Sequence, residues 1–149
     1  MPSVKDIMTT DVTAITVGKT VFEAANLMNS KGIGCLIIMD GEAPVGMVTE
    51  RDIVRRIVAK KLPYETKVSE IMTTKLVTVD PDMSLKDAAR LMSTHKIRRL
   101  PVVKQNKLVG IVVASDFVRN LGKKTVTEEI LDSMGRYPAG NMPLNGTVL

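Results

Sequence analysis

The feature that most constrains this chain is an internal repeat. Three segments recur at a displacement of 64 positions: residues 4–9 as 68–73, residues 23–28 as 87–92, and residues 45–46 as 109–110. Residues 15–17 match residues 77–79 at a displacement of 62, which places the difference between the copies in short loops. A chain of 149 residues has room for two such copies. This length excludes a large multi-domain enzyme.

Each copy contains the same predicted order of elements, β-α-β-β-α. A short strand leads to Thr20-x-x-Glu23 or Ser84-x-x-Asp87, a box that caps the N-terminus of a helix. Asp40-Gly41 in the first copy and residues 104–107 in the second then predict hairpins. The predicted strands are residues 14–17, 35–39 and 45–49, then 76–79, 100–103 and 108–113, and the closing helices are residues 50–60 and 115–121.

These elements divide the chain into two domains and a tail. We assign residues 1–60 to the first domain, 61–67 to a linker, 68–122 to the second domain, and 123–149 to a C-terminal helix and a loose tail. The Thr125-x-x-Glu128 box predicts that helix at residues 126–134. One copy buries little apolar surface alone, so we expect the two to pack sheet to sheet in a mixed α/β (α+β) fold.

Composition narrows the function before any site is considered. The net charge of +5 favours an anionic partner, but an aromatic content of 3% gives few platforms on which nucleic-acid bases stack. The single cysteine excludes an intramolecular disulfide, and the single histidine leaves neither a metal-ligand pattern nor a plausible catalytic base. With no apolar run long enough for a signal peptide or a membrane span, we expect a cytoplasmic protein without a membrane partner.

Three motifs, in order and largely repeated, resemble a known family. They are IMT at residues 7–9 and 71–73, KIRRLPVV at residues 96–103, and VGMVTERD at residues 45–52. Over about residues 4–121 the chain resembles two tandem cystathionine-β-synthase-type (CBS) domains, the pair called a Bateman module. The resemblance implies pseudo-two-fold packing of the repeats, adenosine-containing ligands in clefts between them, and a homodimer of such pairs.

Thr49 and Asp52 have two possible roles. A Thr-x-x-Asp sequence where a strand gives way to a helix is typical of an N-cap. A helix N-terminus also offers N–H donors to a phosphate, and a carboxylate accepts from both hydroxyls of a ribose. The resemblance implies that Asp52 holds ribose and Thr49 faces phosphate.

Arg98 and Arg99 carry the same two alternatives. Adjacent arginines before a strand are typical of a solvated loop, yet guanidinium groups also bind phosphate oxygens in pairs. The resemblance implies that they reach the phosphate of a ligand whose ribose the other copy holds. The implied site consists of Met47, Thr49, Asp52, Val77, Arg98, Arg99 and Pro101.

The reciprocal cleft lacks both phosphate contacts. Asp116 aligns with Asp52, but Val113 replaces Thr49, and Gly34 and Cys35 stand where the arginines do. We therefore expect unequal clefts, the second being empty, weak, or suited to a ligand without phosphate, such as an adenosyl sulfonium. Its candidate residues are Ile15, Thr16, Ser115 and Asp116.

We predict a non-catalytic regulatory module that senses adenine nucleotides of the AMP, ADP or ATP type, with AMP foremost and no obligatory cofactor. It would form a homodimer and act in trans on an effector protein that the sequence does not identify. One alternative is a sensor of S-adenosylmethionine-type ligands. Another is a nucleic-acid-binding protein that uses Arg51, Arg55, Arg56, Lys60 and Lys61. An enzyme that acts on nucleotides would lack a base.

Overall fold

The computed structural model describes residues 2–120, together with Ile130 and Met134. The strands are β1 (Ala14–Thr16), β2 (Cys35–Asp40), β3 (Ala43–Thr49), β4 (Arg99–Lys104) and β5 (Lys107–Val113). The α-helices are α1 (Val21–Lys31), α2 (Glu50–Ile53), α3 (Leu85–His95) and α4 (Ala114–Asn120), with 3-10 turns at Val4–Asp6 and Val68–Glu70. Apart from Ile130 and Met134, the predicted C-terminal helix and tail lie outside the described residues.

The described chain forms two compact units. One holds residues 2–10, 78–103 and 109–120, and the other holds Asp11–Val77 and Lys104–Leu108. The opening segment of each repeat joins the unit that contains the helices of the other repeat. Val4 N–H donates to the Met83 carbonyl in the first unit, and Val68 N–H donates to the Lys19 carbonyl in the second, both at 2.9 Å. The domain boundaries given above follow the order of the sequence and stay a prediction.

The unit that begins at Asp11 is built on a three-stranded sheet. Strand β1 runs parallel to β2, with Ile15 opposite Ile38, and β2 pairs antiparallel with β3. The hairpin turns at Gly41-Glu42, where Gly41 has φ of +66°. Helix α1 packs its buried face on this sheet, and the buried core consists of Val21, Ala24, Met28, Leu36, Ile38, Val48, Ile57, Val68 and Ile71.

The other unit contains helix α3, β4 as far as Val103 and β5 from Val109, while the hairpin residues Lys104–Leu108 belong to the unit that begins at Asp11. Four residues of α3 are buried at positions i, i+3, i+4 and i+7, so one face of the helix contacts the core. They are Leu85, Ala88, Ala89 and Met92. The hairpin between β4 and β5 turns at Gln105-Asn106, with φ of 51° and 64°, the left-handed pair that a two-residue primed turn requires. Among the described residues, no helix has the length and apolarity that a membrane crossing needs.

The strand predicted at residues 76–79 is wrong, because this segment forms only one parallel bridge, between Val79 and Val102. Val79 N–H donates to the Pro101 carbonyl at 3.0 Å. A longer ladder would need N–H donors at residue 101 and two residues after Val79. Both positions are proline, Pro101 and Pro81, so pairing stops on either side.

The same bridge fixes how the repeats correspond. Ile15 lies opposite Ile38, and Val79 lies opposite Val102, so both partners are displaced by 64 positions. The sequence match at a displacement of 62 had instead related Ile15 to Val77. Val79 therefore takes the place of Ile15 in the second repeat, two residues later than the sequence match indicated.

The helix predicted at residues 50–60 changes type after its first turn. Helix α2 continues as a π-helical turn over Val54–Val58, where Ala59 N–H donates to the Val54 carbonyl at 2.8 Å. The corresponding helix α4 is a regular α-helix over Ala114–Asn120. π turns are rare in proteins, and those that occur often lie at functional sites. The π turn therefore makes the second helix of the first repeat a candidate functional element.

Gly46 in β3 and Gly110 in β5 each lie against the methionine of an IMT segment. A Cβ at Gly46 would lie 2.8 Å from Met72 Cγ, and a Cβ at Gly110 would lie 2.7 Å from Met8 Sδ. At Gly110 the carbonyl oxygen of Thr9 would also be 2.9 Å away. The repeated Val-Gly pair therefore gives each IMT segment room to pack on a strand.

We predict that Gly110→Ala lowers the free energy of unfolding by about 1–3 kcal/mol, because a backbone carbonyl cannot rotate away from the added methyl group. Gly46→Ala should cost less, since the Met72 side chain has rotatable bonds with which to move. The matched control is Gly18→Ala, where nothing lies within 4 Å of the new Cβ. Urea unfolding checks this, and equal losses for Gly110→Ala and Gly18→Ala would contradict it.

Candidate functional site

Thr49 and Asp52 meet at the junction of β3 and α2. Thr49 N–H donates to Asp52 Oδ2 at 2.9 Å, and the Thr49 hydroxyl oxygen lies 3.2 Å from both Asp52 Oδ2 and the Asp52 amide nitrogen. This is a reciprocal capping box, in which each side chain satisfies a backbone donor of the other residue. The capping interpretation of this pair is therefore confirmed, and the box holds Oδ2 of the Asp52 carboxylate.

The same box occurs at two other helix starts, Ser3 with Asp6 and Thr20 with Glu23. At both, the backbone N–H that donates to the carboxylate holds its pKa below the ordinary value. The bond thus favours the charged carboxylate, and its contribution to stability is lost as the pH falls through the lowered pKa. The Thr49–Asp52 box is not unusual as a cap, so any further role depends on what else the carboxylate contacts.

The second oxygen of Asp52 faces Arg56, which sequence reasoning does not assign to the site. Arg56 Nε lies 3.8 Å from Asp52 Oδ1, and Arg56 Nη1 donates to the Ile71 carbonyl at 2.8 Å. The Asp52 side chain is 15% exposed, whereas that of Arg56 is half exposed. The i,i+4 spacing of an aspartate and an arginine on one helix is the sequence signal that would have found this pair.

Met47 and Val77 belong to the same unit as Thr49 and Asp52. Met47 is half-buried in β3, and its N–H and carbonyl both pair with Thr73, at 3.0 and 2.9 Å. Val77 is half-buried in the segment between Thr73 and Val79, which has no regular secondary structure. Met47 lies two residues before Thr49 on the strand that leads to the capping box.

Arg98, Arg99 and Pro101 belong to the other unit. Arg98 is exposed just before β4, Arg99 is the half-buried first residue of β4, and Pro101 is buried. Arg98 also lines a cavity of about 260 Å³ with Met92, Ser93, Lys96, Ile97 and Met134. The structure therefore places the arginines at the start of a strand, where backbone pairing holds the chain.

Position 98 differs between the repeats together with the residue bonded to it. The Arg98 carbonyl accepts Ala114 N–H at 2.9 Å, and the equivalent Gly34 carbonyl accepts Glu50 N–H at 3.0 Å. A Cβ at Gly34 would lie 3.2 Å from Glu50 Cδ, so the glutamate side chain occupies that space. In the second repeat, the short side chain of Ala114 leaves space there, and an arginine is present.

Asp116, the counterpart of Asp52, has a different environment. Its residue is 1% exposed; Oδ2 accepts Val113 N–H at 2.8 Å, and Oδ1 forms an ion pair with Arg119. Both carboxylate oxygens therefore have partners. The other candidates of the second site are exposed Ser115 beside Asp116, half-buried Ile15 in β1, and exposed Thr16.

Comparison with known proteins identifies both repeats. A family model described as CBS domain matches residues 4–59 and again residues 68–123. The CBS domain-containing protein YhcV of Bacillus subtilis is 47% identical over 120 residues, covering 80% of this chain and 86% of YhcV.

Two solved structures were determined with ligands. CBSX2 in complex with AMP is 30% identical to this chain with a TM-score of 0.69. The match covers 80% of this chain and 95% of the CBSX2 chain. The CBS domain pair of protein MJ0100, in complex with 5′-methylthioadenosine and S-adenosyl-L-methionine, is 29% identical with a TM-score of 0.71. The match covers 80% of this chain and 94% of the MJ0100 chain.

We predict that Thr49→Val lowers the free energy of unfolding by about 1 kcal/mol, because valine keeps the shape but removes the hydroxyl that accepts Asp52 N–H. Thr49→Ser keeps the hydroxyl and should stay within about 0.5 kcal/mol of the wild type. Urea unfolding of both variants measures the difference. Equal losses for the two would show that the side-chain cap contributes nothing.

Proposed function

The chain belongs to the CBS-domain family, and from this premise we propose that it is a non-catalytic regulatory module that binds an adenine nucleotide, AMP foremost. The observation that carries the proposal is the match of both repeats together with a structural neighbour solved with AMP. The neighbour solved with 5′-methylthioadenosine and S-adenosyl-L-methionine supports the wider class of adenosyl ligands.

Asp52 is the residue that we propose for the ribose. Thr49 engages Oδ2, while Oδ1 faces Arg56 at 3.8 Å, which is beyond hydrogen-bond distance. Among the described residues, Oδ1 therefore keeps acceptor capacity for a ribose hydroxyl. Because the capping box already holds Oδ2 of the side chain, little side-chain entropy is lost when Asp52 binds a ligand. Met47 and Val77 would contact the adenine through aliphatic surface.

Arg98 and Arg99 are the residues that we propose for the phosphate. A guanidinium donates paired hydrogen bonds to phosphate oxygens, and it stays charged at all physiological pH values. Pro101 restricts the backbone of β4 two residues later, so Arg99 projects from a fixed strand. Thr49, with its hydroxyl at the start of α2, is a second proposed phosphate contact.

The two repeats would bind ligands unequally. Asp116 has both oxygens engaged by Val113 and Arg119, and Val113 lacks the hydroxyl that Thr49 supplies. A ribose hydroxyl would have to reach a carboxylate that is buried and compete there with Arg119, which costs free energy. We therefore propose that the site of Ile15, Thr16, Ser115 and Asp116 is empty, weak, or specific for an adenosyl ligand without phosphate.

The proposed regulatory output is an effect on another protein through a homodimer of this chain. The equivalent valines of the two repeats, Val54 and Val118, are 58% and 59% exposed, and Val58 is 67% exposed. Exposed aliphatic side chains on the second helix of each repeat support a helical interface. Ligand binding would act by favouring one arrangement of the assembly, which requires a difference in affinity between arrangements.

A nucleic-acid-binding function is the second candidate, since one surface supports it. Arg51, Arg55, Lys60 and Lys61 are exposed on α2 and on the chain that follows it. Binding through such a surface would weaken steeply as salt is raised, and it would not respond to AMP. Retention on DNA at several salt concentrations, with and without AMP, separates the two functions.

We predict that Asp52→Asn weakens AMP binding about 10- to 100-fold, the loss expected for charge-assisted hydrogen bonds of about 1.5–3 kcal/mol. Asp116→Asn should change AMP affinity by less than about threefold. Calorimetric titration of both variants, with circular dichroism to check folding, measures this. The assignment is wrong if Asp116→Asn removes AMP binding and Asp52→Asn leaves it intact.

We predict that Arg99→Gln weakens AMP binding about 10- to 100-fold and leaves adenosine binding within about twofold, because adenosine has no phosphate for the guanidinium to bind. Arg55→Gln removes the same charge from an exposed position and serves as the control. Titrations at one fixed ionic strength keep screening constant. An equal loss for AMP and adenosine would refute the phosphate role of Arg99.

A further inference from the structure

The guanidinium of Arg56 connects two parts of one unit. Its Nη1 donates to the Ile71 carbonyl at 2.8 Å, and its Nε lies 3.8 Å from Asp52 Oδ1. Ile71 is buried and opens the IMT segment of the second repeat, two residues before Thr73, which pairs with Met47 in β3. Arg56 is therefore held at one end by the backbone and faces the proposed ribose-binding carboxylate at the other.

We propose that Arg56 is a positioning residue for ligand binding, which orients Asp52 Oδ1 and ties it to the IMT segment. This inference rests on the proposed function, because it assigns to Arg56 an effect on the ribose-binding carboxylate. The guanidinium does not contact the ligand in this proposal. It acts through Asp52.

Stability alone gives a weak reason for the arrangement. An i,i+4 ion pair on a helix with one partner half exposed contributes little to folding, and here the two charged atoms are 3.8 Å apart. The bond to the Ile71 carbonyl holds the guanidinium in place without a ligand, with its Nε 3.8 Å from Oδ1. An arginine fixed in this way sets the direction of the carboxylate more than it stabilises the fold.

The π turn and the second repeat support a specific role. Arg56 lies within the π-helical turn Val54–Val58, a wide turn of the kind often found at functional sites. In the second repeat the arginine lies three residues after the aspartate, and Arg119 pairs directly with buried Asp116. In the first repeat, Arg56 lies 3.8 Å from the carboxylate of Asp52. In the second repeat, Val113 and Arg119 occupy both carboxylate oxygens of Asp116.

The test is a double-mutant cycle on AMP affinity with Arg56→Gln and Asp52→Asn. We expect Arg56→Gln to weaken AMP binding about 3- to 10-fold in the wild-type background and to have no further effect in the Asp52→Asn background. Arg56→Lys should restore part of the loss, and Arg55→Gln should change affinity by less than about twofold. A loss that persists unchanged in the Asp52→Asn background, or that equals the effect of Arg55→Gln, would overturn the proposal.

Thermal unfolding of the wild type, the two single variants and the double variant separates this inference from the proposed function. If the wild type binds no AMP in calorimetry, the proposed function fails. The link between Arg56 and Asp52 is then decided by melting temperatures alone. Non-additive shifts in the single and double variants support the link, and additive shifts overturn it.

Discussion

Both repeats depend on one interaction, a carboxylate that accepts a backbone N–H three residues before it, at the point where a strand becomes a helix. Thr49 N–H donates to Asp52 at 2.9 Å, and Val113 N–H donates to Asp116 at 2.8 Å. This bond caps the helix and holds the carboxylate at the end of the strand. Because the same bond is present in both copies, the differences between them arise from what the other carboxylate oxygen contacts.

That difference separates two copies of the same elements. Asp52 Oδ1 faces Arg56 at a distance, whereas Asp116 is buried with both oxygens engaged. The exchange at the start of the strand points the same way, since Gly34 packs under Glu50 where Arg98 lies beside Ala114. The small residue of each pair, Gly34 or Ala114, leaves space for the long side chain of Glu50 or Arg98. The fold therefore accommodates the difference between the repeats on which the proposed function depends.

The sequence predicted the repeat from matches 64 positions apart. It also predicted five of the six strands, the long helices and the capping boxes of Thr20 and Thr49, because each depends on a pattern among residues close in the chain. The prediction of the sixth strand was wrong because Pro81 and Pro101 lack the N–H groups that a longer ladder needs. Which N–H groups the ladder needs depends on the pairing register, which the sequence alone does not show. The bond between Arg56 and the Ile71 carbonyl joins residues 15 positions apart, so it depends on tertiary packing that no local pattern specifies. The helical pattern of residues 50–60 also did not distinguish the π turn from an α-helix. The domain boundaries and the assignment of ligand-binding residues stay predictions.

We propose that the two repeats present unequal sites for an adenine nucleotide. The stoichiometry of AMP binding tests it most directly, by calorimetry at protein concentrations well above the dissociation constant. We expect one high-affinity equivalent of AMP per chain. Two equivalents of equal affinity, or no binding at all, would contradict it.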